Sequence, residues 1–315
     1  MTRREWMLLC AAKGAPSVGA QAPAPRRVRS LRVTVLTTML ADGRGIGEWG
    51  FAALVEADGR RILFDTGARP DTIVINSREL GVDLKGIPDV VLSHNHADHT
   101  TGLVTLRDEL RGARIHAGKG IFYSRPRPGG GEGNFLLTNR GRLDGLGIVE
   151  HEKPVELAAG VWLTGPVVRR YTERNFSIGP AGRVVTPEGL VEDNVPEDSS
   201  LVFDTEKGLV VLSGCGHAGL ANTLAYARET VRQAPVYAAL GGWHLFQLDE
   251  ERLQWTAGKM REYGVQHFLG AHCTGVEAVY RIRQLNGMPR ERCVVGAVGA
   301  VFDLERGISP GMIAR

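Results

Sequence analysis

The segment Ser93-His94-Asn95-His96-Ala97-Asp98-His99-Thr100 places three imidazoles and a carboxylate within six residues, directly after a short apolar run. His94 and His96 stand two apart. In an extended or tightly turned segment both rings turn to one side and meet a single Zn²⁺. Asp98 and His99 follow where a helix would begin and are placed to turn to a second metal. Imidazole and carboxylate donors suit zinc and also tolerate Mn²⁺ or iron. A lone His-x-His occurs by chance on many surfaces, but this density right after an apolar strand does not fit that reading. His244, in Gly241-Gly242-Trp243-His244-Leu245, also ends an apolar run. It suits a metal neighbour, a substrate binder or a general acid; Trp243 beside it suits a pocket wall or the core equally. His116, His151 and His267 stand outside any cluster and read as ordinary residues.

These residues need strands to carry them. Residues 31–40 are β-branched and apolar enough for a strand, and 51–56 and 61–64 read as a hairpin around Asp58-Gly59. Pro70 and Gly81 bracket a helix over 70–80, and 89–93 is a strand ending at the histidine cluster. The pattern predicts helices over 100–110, 220–233, 249–263 and 276–285. It predicts strands at 161–163, 201–204, 209–213, 236–240, 265–269 and 293–302. Residues 123–147, rich in Gly, Pro and Arg, form a long excursion of the kind that frames clefts. Alternating strands and helices pack most simply as sheets with helices outside, and the polar clusters fall at strand ends.

The chain has 315 residues, 43% hydrophobic and 23% charged, enough for a sizeable core and inconsistent with wholesale disorder. A formal charge of +3 is too small to point to nucleic acid. No apolar run has the roughly 18 residues that span a bilayer. The four cysteines, Cys10, Cys215, Cys273 and Cys293, are too few for a disulfide scaffold. Oligomeric state is not legible.

SHNHADHTTGL at 93–103 resembles the His-x-His-x-Asp-His signature of the metallo-β-lactamase-fold hydrolases. With LFDTG at 63–67, SGCGHAG at 213–219, GGWHL at 241–245 and AHCTG at 271–275, it resembles a branch labelled 7,8-dihydropterin-6-yl-methyl-4-(β-D-ribofuranosyl)aminobenzene 5′-phosphate synthase-like. The resemblance implies an α/β, four-layer αβ/βα sandwich over 31–303; residues 1–30 read as a signal and Pro-rich linker and 304–315 as a tail. It implies His94 and His96 at a first metal, Asp98 and His99 at a second, and His272 completing the second. The middle of the chain departs from the family pattern, because Asp193–Asp198 contains no histidine. His217 is the choice for the missing imidazole. Cys215 falls where some members place a bridging Asp or a metal Cys, and also suits buried packing. For Cys273 a thiolate ligand, a disulfide with Cys215 and a core thiol are open, the core thiol being favoured. Asp65 matches the family's buried acid and would accept the second N–H of a metal-bound imidazole.

The expected function is a two-metal, zinc-dependent hydrolase in which activated water attacks an ester-type bond, with Asp98 and His244 in catalysis. A phosphodiester or phosphate ester of a small, anionic molecule is the first substrate class. A lactone or β-lactam, or pterin-phosphate synthase-like chemistry, is the alternative. A non-catalytic metal protein and a di-iron redox protein rank lower, and no G-x-G-x-x-G nucleotide fingerprint follows the first strand. Arg125, Arg127, Arg140, Arg142, Arg169, Arg170 and Arg174 supply cations that would meet an anion or simply line a solvated rim.

Arg3 and Arg4, the short apolar stretch Trp6–Ala12 and Ala20-Gln21-Ala22 follow the order of an export signal of twin-arginine type. Cleavage near Ala22 would yield a periplasmic or secreted enzyme; a retained tail on a cytoplasmic enzyme is the alternative. N-terminal sequencing from the native host should find the chain starting near Pro23, and replacing Arg3 and Arg4 together by lysine should block processing. An intact Met1 or Thr2 on the soluble cytoplasmic protein would refute export.

Overall fold

A computed structural model of the chain describes residues 27–173 and 182–314. The proposed export signal and Arg174 lie outside the described residues. One mixed sheet runs in the order β17-β16-β1-β2-β3-β4-β5-β6. Its strands are β1 Leu31–Thr37, β2 Ala52–Ala57, β3 Arg60–Phe64, β4 Asp89–Leu92, β5 Arg114–Gly118, β6 Ile148–His151, β16 Val301–Asp303 and β17 Gly307–Ser309. The second runs β15-β14-β13-β12-β11-β8-β7. It comprises β7 Val155–Ala158, β8 Val161–Leu163, β11 Ser200–Thr205, β12 Gly208–Ser213, β13 Val236–Gly241, β14 His267–Gly270 and β15 Cys293–Val295. Strands β9 Arg183–Thr186 and β10 Gly189–Glu192 form a separate hairpin.

Side-chain alternation along the strands builds the layers. In β12, Val210 and Leu212 face the other sheet, while Leu209 and Val211 face the helices α5 Leu220–Thr230, α6 Glu250–Glu262 and α7 Val276–Asn286. In β2, Ala53 and Val55 face inward; Ala52 and Leu54 face a third core that includes Ile73 of α1 Thr72–Leu80. Phe51, Phe64, Phe203 and Phe302 fill the layer between the sheets, each buried completely. Burying such a side chain is worth about 1.5–3 kcal/mol. Three apolar cores separating four layers are the expected αβ/βα sandwich.

Several boundaries differ from expectation. The single strand at 293–302 is two strands in different sheets, since β15 pairs with β14 and β16 with β1. The helix over 100–110 is only the short turns α2 Ala97–Thr100 and α3 Gly102–Thr105. Gly102 packs on Thr66, whose carbonyl oxygen lies 2.1 Å from where a Cβ would stand. The 304–315 tail is not separate at its start: β17 pairs with β16, and Leu304 and Ile308 enter the inter-sheet core. Nor is the linker free up to Ser30, because Val28 is buried and its N–H donates to Asp204 O at 2.8 Å. The excursion holds the helical turn α4 Phe135–Thr138, capped by the Asn134 side chain accepting from Leu136 N and Leu137 N. No helix among the described residues is long and apolar enough to cross a membrane.

The loops after β12 and β13 touch through glycine backbone. A Cβ on Gly242 would stand 1.9 Å from Gly214 O. Gly242→Ala should therefore lower stability by about 1–3 kcal/mol, read as a lower urea midpoint at unchanged slope.

Candidate metal centre

The chemistry-bearing residues lie just past the carboxyl ends of parallel strands, where layered α/β folds leave a crevice. Asp65 follows β3, the 94–99 cluster follows β4, Cys215 and His217 follow β12, His244 follows β13 and His272 follows β14. β3 and β4 pair parallel, as do β12, β13 and β14. Half of the centre thus comes from each sheet. Asp65, His244 and His272 have φ of 56°, 47° and 47°. That region is uncommon for residues other than glycine and persists where surroundings fix it, at a cost of order 1–3 kcal/mol. Here Asp65 N donates to Val91 O at 2.8 Å, His272 N to Thr38 Oγ1 at 2.9 Å and His244 N to Cys273 Sγ at 3.3 Å.

Two donor groups result. His94, His96 and His217 hold ring nitrogens within 4.8 Å of one another, and the Asp98 carboxylate oxygen and the ring nitrogens of His99 and His272 lie equally close together. Asp98 Oδ2 stands 3.2 Å from His272 Nε2 and 3.7 Å from His99 Nε2. The rings of His94 and His99, 4.2 Å apart at their centroids, join the groups. His217, rather than a residue of Asp193–Asp198, is the imidazole brought to His94 and His96.

Hydrogen bonds set the tautomers. The buried Asp65 carboxylate accepts from Ser93 N at 2.7 Å, Ser93 Oγ at 2.7 Å and His99 Nδ1 at 2.8 Å. Ser93 Oγ spends its one hydrogen as donor to Asp65, so it accepts from His94 Nδ1 at 2.9 Å. Both rings therefore turn Nε2 to the interior, the nitrogen a bound metal would take. His94 Nε2 and His96 Nε2 are buried and have no hydrogen-bond partner among the described residues. Buried lone pairs of this kind call for a partner, and a divalent cation fits this donor set.

Ionisation follows the same geometry. Burial, helped by the neighbouring imidazoles, holds His94 well below its ordinary value, and burial takes His96 down to about 4. At His99 burial also lowers the value, but the Asp98 and Asp65 carboxylates outweigh it and raise the ring to about 9. Burial pushes Asp98 up, yet His99 and His272 bring it well below the usual carboxylate range.

Cys215 Sγ lies 3.1 Å from His99 Nε2 and 3.2 Å from Cys273 Sγ, with both thiols free and buried. Its sulfur falls within reach of His94 and His99 on one side and of His217 and His244 on the other. The His244 ring sits 4.9 Å from that of His217. Trp243 belongs to the core under α5 and α6. His116 and His151 bond each other at 3.0 Å, and His116 bonds Asp89 at the opposite end of β4 from His94.

Asp193–Asp198 is an acidic brace. Glu197 Oε1 accepts from Asn95 N at 3.1 Å, and Asp198 Oδ2 from Ala218 N at 2.8 Å. Arg125 donates to Asp193 Oδ2 and Glu197 Oε2, each at 2.7 Å, so it is committed to the brace. Burial pushes Asp198 up to about 7. Arg170 pairs with Glu229. Arg169 stands beside the centre. Its Nη2 donates to Asn194 O and, at 3.5 Å, to His217 O, and its Nε has no hydrogen-bond partner among the described residues. Sequence reasoning missed Ser93, Glu197 and Asp198; the acidic run at 193–198 was the one available signal.

The sequence profile of the metallo-β-lactamase superfamily matches residues 50–228. The chain belongs to this superfamily. It is 31% identical over 239 residues to the Methanocaldococcus jannaschii 7,8-dihydropterin-6-methyl-4-(beta-D-ribofuranosyl)-aminobenzene-5'-phosphate synthase, covering 72% of this chain and 81% of that one. An uncharacterised M. jannaschii protein is 27% identical, covering 86% of this chain and all of its own. Among solved structures, Tm1679, a metal-dependent hydrolase of the β-lactamase superfamily, superposes with a TM-score of 0.70 at 26% identity. That match covers 86% of this chain and 98% of the other. The metallo-β-lactamase fold carries the strand-end crevice described above, and membership agrees with the donor sets assembled in it.

Asp65→Asn keeps the volume but offers one carbonyl oxygen to donors that now share two carboxylate oxygens. Metal affinity should fall about 10–100-fold, measured by competition against a chromogenic chelator, with the circular dichroism spectrum unchanged.

Proposed function

We propose that this protein is a two-metal hydrolase, zinc-dependent in the first instance, that cleaves a phosphodiester or phosphate ester of a small anionic molecule. The observation that carries this reading is the pair of adjoining donor groups, His94, His96 and His217 beside Asp98, His99 and His272. When bound, divalent metals in such a site lower the pKa of water and polarise an ester oxygen. The residues of the chain do the rest. Asp65 and Ser93 hold the imidazoles in their ligating tautomers. Asp98 is assigned to metal binding and orientation of the attacking water. His244, buried beside His217, is assigned to charge stabilisation or proton delivery at the leaving group. Arg169 supports an anionic substrate through its charge, because its guanidinium stands against the His217 backbone.

The 31% identity to the M. jannaschii synthase favours a second reading, in which the same centre acts in synthase-type chemistry on a phosphate-bearing compound. Both readings require the metals and the anion.

Protein purified without added metal should carry about two metals per chain, zinc foremost, by elemental analysis; His96→Ala should lose at least one. A substrate panel of bis(p-nitrophenyl) phosphate, homoserine lactones and a chromogenic cephalosporin should give turnover on the phosphodiester. Consistent absence of metal from folded protein would sink the proposal, and hydrolysis of lactones alone would reverse the substrate order. Cys215→Ser that keeps its metals should keep activity, since no covalent nucleophile is required.

A further inference from the structure

Two large aromatic side chains stand exposed at the edge of the metal centre, Trp49 at 51% and Phe246 at 42%. Single exposed hydrophobics are ordinary on a protein surface. These two touch each other and the centre. The Trp49 ring lies 4.9 Å from that of His272 at 60°, and 5.6 Å from Phe246 at 75°. Phe246 lies 5.1 Å from His244 at 69°. The four rings form an arc in which each meets the next at a steep angle, the edge-to-face arrangement favoured by the ring quadrupole.

The backbone under both aromatics is fixed. Glu48 is buried, and its carboxylate accepts from Ala68 N and Arg69 N, each at 2.9 Å. On either side of Trp49, Glu48 N donates to Thr38 O at 2.9 Å, Gly50 N to Glu48 O at 3.0 Å and Phe51 N to Asp98 O at 3.2 Å. Phe246 packs on Gly275, where a Cβ would meet Phe246 Cβ at 2.6 Å. The loop after β1 is thus tied to the metal-bearing loops, with the Trp49 ring left to solvent. The fold holds apolar faces in place beside a polar centre, as pre-formed small-molecule sites do.

Resting on the reading that this centre acts on a small molecule, we infer that Trp49 and Phe246 form a platform for a flat, unsaturated ring of the substrate. Because the two rings stand at 75° to each other, a planar ring stacks on one and meets the other edge to face as well as burying apolar surface, whereas a saturated ring of similar size gains only the burial. The arc spans from His244 to His272, so a ring lying on it keeps an attached anionic group within the crevice.

Two phosphonates with the same anionic head and the same ring carbons test this, 2-naphthylmethylphosphonate and its saturated counterpart (decahydro-2-naphthyl)methylphosphonate. Each is titrated into protein of verified metal content, by calorimetry and tryptophan fluorescence. The naphthyl compound should bind at least tenfold more tightly and quench the fluorescence. That preference should vanish in Trp49→Ala, shrink in Phe246→Ala and survive in Trp49→Phe, with metal content equal throughout. For a turned-over aromatic ester, Trp49→Ala should raise KM with kcat little changed. Equal binding of the two phosphonates by the unmutated protein, or a preference that persists in the Trp49→Ala/Phe246→Ala double variant, would overturn the platform. So would a dimer dissociating in Trp49→Ala by analytical ultracentrifugation, since the patch would then be a subunit interface. Because binding is read without turnover, these results separate the platform from the hydrolase reading, which fails instead if the protein carries no metal.

Discussion

A carboxylate removed from water is costly unless its oxygens are fully used. Asp65 meets that condition by accepting from Ser93 N, Ser93 Oγ and His99 Nδ1. This satisfaction locks the loop after β4 onto the end of β3. Through Ser93 it also reaches His94, so one buried group sets the protonated nitrogen on an imidazole of each donor group. Asp65 makes these bonds from a backbone of positive φ, 56°, a conformation that persists where surroundings fix it. Loss of this acceptor would leave buried donors unmatched and the rings free to rotate.

The second sheet supplies the other half of the centre by a similar logic. His217, His244 and His272 follow neighbouring parallel strands, and close glycine backbone lets those strand ends converge. The acidic brace then joins the halves. Glu197 holds the amide of Asn95 from the first sheet, while Asp198 holds the amide of Ala218 from the second. The stretch 193–198 thus keeps the two loops in register, and His217 comes to His94 and His96 from a different loop. Cys215 stands between the two donor groups, and its burial pushes the thiol well above its usual value.

The layered architecture was legible because both faces of the central strands are apolar and the helices carry one apolar stripe. Short strands at or next to the sheet edges were less so. β5, β6, β7 and β17 have three to five residues each, too few for periodicity to register, and they form because a neighbouring strand offers hydrogen bonds. The run 293–302 reads as one strand because apolar composition does not record a change of sheet. Gly296 packs within 2.8 Å of Ala271 at the position a Cβ would take, and the chain crosses from one sheet to the other there.

By itself the sequence determined the donor chemistry. His94, His96, Asp98 and His99 are neighbours along the chain, so local geometry alone brings them together and names a metal centre. It also determined that helices and strands alternate, since amphipathic period is a local property. Tertiary structure decided which distant residues complete the centre. His217 and His272 lie over a hundred residues from the cluster and reach it only because two sheets pack face to face. It also turned Arg125 from a candidate anion binder into a strut, and left Trp49 and Phe246 side by side in solvent. Such contacts depend on sheet order and loop path, and no window of sequence shorter than the fold contains them.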